Sequence, residues 1–568
     1  MHGPPPTPAF LSYEPVALTF GTSGLRGLVN DITDLEAYIN VKGALRYLAK
    51  IGDVKPGAKI VLGGDLRPST DRIMGACARA ILDSGGQVEN AGKIPTPAVI
   101  LHSLATGHAG VMVSGSHIPF DRNGIKLNRS VGEILKSDEA GITEEVERVR
   151  AEEYVRTADA SAFTASGELK AALALPDVDG AAEERYVGRY VRSFGPRALA
   201  GLRILVYQHS AVGRDILARI LRELGADVVT AGRAETFVPI DTENVTDEML
   251  DRLDALVTAA EEARPFHAVV STDGDSDRPL VAAALPPSEA GSRGRRVRFL
   301  PGDLLGIIVA EHLGADAVAV PISANDAVER RMKERGVLLQ KTRIGSPYVV
   351  AMLAELGRAG AHARVMGWEA NGGFLLGSRL ALEEGELSAL PTRDATLPIV
   401  ANLAAAGRRG LSLSALWDEL PPRFGRAGLL DQVPVAVSRA ILARLVPGGA
   451  TTEVELEATG RVLDRSRPGE AAVPVDEAAA GAWRDRKSTL ARFFSPTFGF
   501  DEIVRINVLD GVRVHFRNGD VGHVRPSGNA PQLRIYANSD TQARADEIVA
   551  FGLREPDGIL RLMERAFA

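Results

Sequence analysis

Apolar residues along this chain follow two rhythms. In the first, a short apolar run gives way to a stretch where apolar residues recur every three or four positions. Glycine then ends that stretch and a second apolar run follows. Lys59-Ile60-Val61-Leu62-Gly63-Gly64-Asp65 opens one such unit, a helical stretch from Ser69 to Ser84 continues it, and Gly85-Gly86-Gln87-Val88 closes it. Arg203-Ile204-Leu205-Val206-Tyr207, a helix to Leu224 and Gly225-Ala226-Asp227-Val228-Val229 repeat the pattern. Ala317-Val318-Ala319-Val320-Pro321, a helix to Arg335 and Gly336-Val337-Leu338-Leu339 repeat it again. Strand, helix, glycine stop and strand form the βαβ signature of parallel sheets covered by helices. Three related α/β domains in tandem are expected, the alternative being one large doubly wound sheet.

The second rhythm begins near residue 416. Ser412 to Leu420 predicts a helix leading into it. Short alternating segments, Val512-Arg513-Val514-His515-Phe516 and Leu533-Arg534-Ile535-Tyr536, then predict an antiparallel sheet in an α+β fourth domain. Gly448 to Ala480 is rich in Gly, Ala and Glu and reads as a surface excursion with partial order, and Ser161 to Gly180 reads as a linker. The expected domains are 1–178, 179–298, 299–415 and 416–568. The length of 568 residues agrees, since about 150 residues per domain gives about four.

Composition excludes several classes. The net charge is −7, so no basic field invites nucleic acid or anionic lipid. The single cysteine, Cys77, rules out an intrachain disulfide framework and fits a reducing cytosol. Met1-His2-Gly3-Pro4-Pro5-Pro6 has neither a cationic nor an apolar leader region, so no signal peptide is expected. No apolar run approaches the ~20 residues of a membrane helix.

Five loops carry candidate chemistry. The most telling is Asp273-Gly274-Asp275-Ser276-Asp277-Arg278, directly after the apolar run Ala268-Val269-Val270. Three alternating carboxylates in a tight turn suit one hard cation such as Mg²⁺. An EF-hand is excluded because the twelfth position is Ala284 and a strand precedes the loop. A solvated acidic turn is the bland alternative, and Arg278 is a candidate phosphate ligand beside the metal.

The second loop, Ser114-Gly115-Ser116-His117-Ile118-Pro119, follows the strand Val111-Met112-Val113. Ser116 is a candidate nucleophile or phosphate carrier. Asn123-Gly124 is a turn signal that would return Lys126 toward it. The alternative is an ordinary polar loop, and no Gly-x-Ser-x-Gly elbow is present here. In Gly367-Trp368-Glu369-Ala370-Asn371-Gly372-Gly373, Glu369 and Asn371 on an extended segment would point to one side, suited to neighbouring sugar hydroxyls. Arg525-Pro526-Ser527-Gly528-Asn529 combines guanidinium, hydroxyl, glycine backbone and amide, a cradle for a phosphate dianion. Phe20-Gly21-Thr22-Ser23-Gly24-Leu25-Arg26-Gly27 is glycine-rich, lacks the lysine of a Walker A loop and projects Arg26. Taken singly, the last three are hard to distinguish from capped or inert turns.

In order and spacing, the five loops together resemble the α-D-phosphohexomutase family of phosphomannomutases, phosphoglucomutases and phosphoglucosamine mutases, from about Thr19 to Tyr536. The resemblance implies three related α/β domains with mixed sheets plus a C-terminal α+β domain, around a central cleft into which each domain sends a loop. It implies that Ser116 carries the phosphoryl group, and that Asp273, Asp275 and Asp277 hold one Mg²⁺ with the phosphoserine oxygen. Glu369 and Asn371 would read the sugar. Arg525, Ser527, Gly528 and Asn529 would grip the non-transferred phosphate. Arg26, His117, Lys126 and Arg278 would surround the transfer site, Lys126 first and His117 second as candidate acid/base. The substrates implied are hexose phosphates, with a hexose 1,6-bisphosphate as intermediate and activator, in a cytoplasmic monomer or homodimer. Most members have Thr-Ala-Ser-His-Asn-Pro around the serine; here Ser114, Gly115 and Ile118 depart from it. Asn371 and Gly373 also depart from the usual sugar loop, and Asn529 from the usual Thr of the phosphate loop. Mannose phosphate is the leading substrate, glucose phosphate the second, and a metal-dependent phosphatase or a non-catalytic sugar-phosphate binder the rival classes.

Overall fold

The structure, a computed structural model, describes residues 10–567 apart from 22–23, 262–263, 292–293, 359, 361, 447 and 527–530. It divides into two compact units, Met1–Ala315 with Gly345–Trp417, and Asp316–Ile344 with Asp418–Ala568.

In the first unit, the first βαβ echo becomes a seven-stranded mixed sheet. Lys59–Gly64 lies parallel to Gln87–Lys93 and to Ala109–Val113. Arg122–Arg129 pairs antiparallel with Ala109–Val113, and Leu25–Leu28 antiparallel with Arg122–Arg129. The predicted helix is observed at Thr70–Asp83. Its residues Ile73, Cys77 and Ile81 meet Ile60, Leu62 and Val111 of the sheet in one core with Ile39 and Leu45 of helix Asp34–Lys50.

The second echo is a five-stranded sheet. Arg203–His209 sits between parallel neighbours Asp227–Arg233 and Ala268–Thr272. Pro279–Ala284 then returns antiparallel, with Thr272 paired to Pro279. The acidic segment 273–278 is therefore the tip of a hairpin whose strands are fully buried apart from Ala284. Buried strands need apolar faces, so polar residues collect at the tip, where the chain turns. Also in this unit, Val365–Trp368, Phe374–Leu376 and Leu390–Asp394 run antiparallel in succession.

The second unit contains the third echo, with Ala317–Pro321 parallel to Leu338–Thr342 across helix Ala327–Arg335. It also contains an eight-stranded antiparallel sheet that includes Val512–Phe516 and Gln532–Ser539. Helices Val435–Leu445, Glu477–Ala491, Gln542–Leu553 and Ile559–Phe567 contribute Ile441, Trp483, Ile548 and Met563 to its core.

Two local expectations are corrected, and the linker is found anchored. The stretch Gly448 to Ala480 is no excursion: Glu453–Leu456, Val462–Asp464 and Val473–Pro474 extend the sheet, and a helix starts at Glu477. Val454, Leu456 and Val462 are buried, but the strands are too short for their alternation to stand out among the charges. The linker 161–180 is strapped down by Phe163, which is 1% exposed and packs edge-on to Tyr38 at 5.2 Å. Asn123-Gly124 makes no turn. It lies within strand Arg122–Arg129, where pairing with Leu25–Leu28 and Ala109–Val113 overrides local turn preference. Among the described residues, no helix is long and apolar enough to cross a membrane.

Candidate active site

Strand Ala109–Val113 ends at the serine loop, and hairpin Ala268–Ala284 ends at the acidic tip. The two meet. Ser116 Oγ donates to Asp273 Oδ2 at 2.7 Å, and both residues have no solvent exposure. Ser116 adopts a left-handed φ of 56°, and its N–H donates to Ser114 Oγ at 2.8 Å. A non-glycine residue in that region is strained, and the surrounding contacts must hold it there.

Asp273, Asp275 and Asp277 are all buried, with one carboxylate oxygen from each within 4.8 Å of the others; they are the one such acidic or ligating trio among the described residues. Asp273 Oδ1 accepts the N–H groups of Asp277 and Arg278 at 3.2 Å each. Asp275 Oδ1 and Asp277 Oδ1 are buried without a hydrogen-bond partner among the described residues. Arg278 Nε stands 3.6 Å from the latter. Unsatisfied buried carboxylate oxygens are costly, and hard oxygen donors are what a divalent cation such as Mg²⁺ takes. The residues present therefore fit a divalent ion. Burial pushes the Asp273 carboxyl well above the ordinary range, and repulsion from Asp275 and Asp277 adds to this. Burial opposes the charge on Asp277 too, but Arg393 and Lys126 hold that carboxyl well below the ordinary range.

Lys126, from strand Arg122–Arg129, donates to Asp275 Oδ2 at 2.5 Å and Asp277 Oδ2 at 2.9 Å. Burial works against its ammonium, yet the two carboxylates raise its pKa overall. Thr96 holds Asp275 from the other side, its hydroxyl 2.6 Å from Oδ2 and its N–H on the Asp275 carbonyl at 3.0 Å. His117 Nδ1 is 3.4 Å from Ser116 Oγ. Burial, with Arg278 and Arg26 nearby, drives its imidazole down to about 2. Arg26, paired in register with Gly124, is lowered to about 10 by burial and by Arg278 and Arg393. These two shifts place His117, Arg26 and Arg278 in one electrostatic neighbourhood with the acids.

The sugar loop differs from expectation in shape. Glu369 and Asn371 sit on a tight turn, not an extended segment: the Gly372 N–H donates to the Glu369 carbonyl at 2.8 Å. The turn still brings the Asn371 amide to 3.5 Å from Glu369 Oε2. The Asn371 side chain then accepts from Gly373 N–H at 3.0 Å, and its carbonyl accepts the Thr242 hydroxyl at 2.8 Å. Arg393 joins this loop to the acids, donating to Glu369 Oε2 at 3.0 Å and to Asp277 Oδ2 at 2.9 Å.

The sequence-predicted residues Ser116, His117, Lys126, Arg26, Asp273, Asp275, Asp277, Arg278, Glu369 and Asn371 all lie in the first unit. Arg525 lies in the second, where its Nε donates to Asp510 Oδ1 at 2.9 Å. Ser527, Gly528 and Asn529 lie outside the described residues. Sequence reasoning missed Arg67, Thr96 and Arg393. Two of them carried a signal: Arg67 follows a buried strand and Asp65, and Arg393 is a cation inside the strand Leu390–Asp394. Lys and Arg are rarely buried without an ionic partner.

Comparison with known proteins finds relatives along most of the chain. Family-wide patterns described as phosphoglucomutase/phosphomannomutase match here: alpha/beta/alpha domain I over residues 17–153, alpha/beta/alpha domain III over 301–424, and the C-terminal domain over 470–552. A phosphomannomutase of Sinorhizobium fredii (strain NBRC 101917 / NGR234) is 36% identical over 94% of this chain and 98% of its own length. One of Salmonella muenchen is 35% identical over 94% of each. The crystal structure of a putative phosphomannomutase from Thermus thermophilus shares the fold, with a TM-score of 0.62 at 17% identity over 94% of this chain and 98% of that one.

Proposed function

The chain belongs to the α-D-phosphohexomutase family, an isomerase family that moves a phosphoryl group within a sugar phosphate, and from that premise we propose the substrate and the role of each residue. The substrate we assign is mannose phosphate, interconverted between its 6- and 1-phosphates. The observation that carries the mechanism is the buried 2.7 Å contact between the Ser116 hydroxyl and a metal-competent acid.

In this reading the resting enzyme carries phosphoserine at 116. The P–Oγ bond breaks as a bond forms from phosphorus to the free sugar hydroxyl, giving a mannose 1,6-bisphosphate. The sugar then turns over, and its other phosphate returns to Ser116 Oγ. Asp273, Asp275 and Asp277 would hold Mg²⁺, which when bound neutralises charge on the transferring group. Lys126 Nζ, fixed against Asp275 and Asp277, adds positive charge beside it. The proton leaving the sugar hydroxyl ends on Ser116 Oγ, the oxygen that phosphorus leaves, and His117 Nδ1, 3.4 Å from that oxygen, is placed to hydrogen-bond it. Arg26 and Arg278 bind phosphate oxygens, and Glu369 and Asn371 accept and donate to sugar hydroxyls. Arg525, Ser527, Gly528 and Asn529 take the phosphate that is not transferring.

We keep the domain division 1–178, 179–298, 299–415 and 416–568, and propose a cytoplasmic monomer or homodimer. The test is a coupled assay with mannose 1-phosphate, glucose 1-phosphate and glucosamine 1-phosphate, each with a trace of bisphosphate, alongside intact mass. Turnover of mannose 1-phosphate with one phosphate on Ser116 supports the reading. Release of inorganic phosphate without isomerisation would replace it with a phosphatase.

A further inference from the structure

We infer that Arg67 is a positioning residue for phosphoryl transfer: it clamps the serine loop in the strained shape that aims Ser116 at Asp273, and Phe237 locks the clamp against the metal loop. The inference rests on the mutase reading above.

A guanidinium offers five N–H donors in a rigid planar fork. Arg67 is buried and has five acceptors for them. Nε donates to Asp65 Oδ2 at 3.1 Å. Nη1 donates to the carbonyls of Pro119 at 2.8 Å and Arg122 at 3.3 Å. Nη2 donates to the carbonyls of Ser116 and Ile118 at 2.7 Å each. Four carbonyls of one loop therefore converge on one side chain. Asp65 is fixed in turn, its Oδ1 accepting the Arg67 N–H at 3.0 Å and the Thr70 hydroxyl at 2.6 Å.

The loop needs such a clamp. Ser116 has a positive φ and no helix or strand ladder of its own. Its carbonyl direction sets where its side chain points, and that carbonyl is held by Arg67. Glycine at 115 permits the approach, because a Cβ there would lie 2.7 Å from the Arg67 guanidinium carbon. Phe237 also lies against the guanidinium, with Cζ over its ring at 4.0 Å from the centroid. The same ring packs on the metal loop, 2.9 Å from where a Cβ on Gly274 would lie; that position is also 2.6 Å from the Ser116 carbonyl oxygen. Serine loop, Arg67, Phe237 and metal loop thus form one stack, although the two loops lie far apart in sequence.

A misplacement of about 1 Å at a reacting atom costs on the order of 10²-fold in rate. Because the donors of the buried Arg67 guanidinium are taken up by Asp65 and four backbone carbonyls, its loss should lower kcat and leave the KM for sugar phosphate within about threefold. The experiment compares Arg67→Lys, Arg67→Ala and Phe237→Leu with wild type for kcat, KM, Tm and phosphoserine content. Wild type is measured first: absence of phosphate on Ser116 there would sink the mutase reading itself and not this inference alone. With phosphoserine present in wild type, Arg67→Lys should keep Tm near wild type yet lose about 10²-fold in kcat, since an ammonium cannot bridge four carbonyls in a plane. Free guanidinium, well below unfolding concentrations, should restore part of the rate to Arg67→Ala. If Arg67→Ala does not fold, Arg67→Lys and Phe237→Leu decide. A folded Arg67→Lys with unchanged kcat, or one that raises KM alone, overturns the inference.

Discussion

The serine–metal centre and the Arg525 region are built on opposite plans. Around Ser116 the three aspartates, Lys126, Arg393 and Glu369 are buried, and the cations each meet more than one acid: Lys126 touches two aspartates, and Arg393 touches one of them and Glu369. Arg525 is a partly exposed cation held by one carboxylate, Asp510, whose other oxygen accepts the Ile344 N–H at 3.0 Å. The first plan suits a charge that is made and broken in one place. The second suits a phosphate that only has to be held. Loss of a group from the first should strike kcat, and loss from the second should strike KM.

Ser116→Ala is the severest test of that contrast. It should fold, carry no phosphate by intact mass, and lose about 10⁴-fold or more in turnover. Removal of divalent metal by EDTA comes next, expected to cost about 10²–10³-fold and to be restored best by Mg²⁺. Undiminished turnover in metal-free protein would contradict the part assigned to Asp273, Asp275 and Asp277. Arg525→Ala should raise KM by about 10–100-fold with a smaller change in kcat, the size expected for one charge-assisted phosphate contact. A pure kcat effect there would erase the distinction between the two regions.

The mildest effect is one of pH on the second unit. His523 is buried, and its Nε2 is 2.7 Å from the carbonyl of Asp510, the residue that holds Arg525. Burial, and Arg513 beside it, lower its pKa from 6.5 to about 3. Well above 6.5 neither state is protonated and nothing is lost. As pH falls from 6.5 toward 3, the unfolded chain gains a proton that the folded one refuses, so stability falls. Thermal melts should show Tm declining through that window, with a shallower decline in His523→Asn. An unchanged slope would show that His523 is not the source.

Much of this is readable in the sequence because strong periodicity and catalytic chemistry coincide at strand ends. Thr70–Asp83, Arg214–Glu223 and Ala327–Arg335 fall where apolar spacing and glycine stops put them. The acidic tip is legible because three alternating carboxylates after a buried strand serve little else. What escapes such a reading are groups whose function depends on partners distant in sequence. Each cation beside or within a buried strand is visible in the sequence, but what Arg67 holds is set only when residues 116–122 fold over it, and what Arg393 holds only when Glu369 and Asp277 arrive. The turn at 369–373 reads as extended because carboxylate–x–amide spacing suits either shape, and only the Gly372 hydrogen bond decides between them.

Arg393 has a consequence for anyone wishing to redirect the enzyme to another sugar. Glu369, which we propose reads the sugar, shares its counter-ion with Asp277. Replacing Glu369 by a neutral residue leaves Arg393 with Asp277 as its carboxylate partner in this pair, and a more tightly held aspartate gives up less of its charge to a cation. Altered selectivity and weakened metal retention should therefore arrive together, and variants that change one without the other will need a second substitution at position 393.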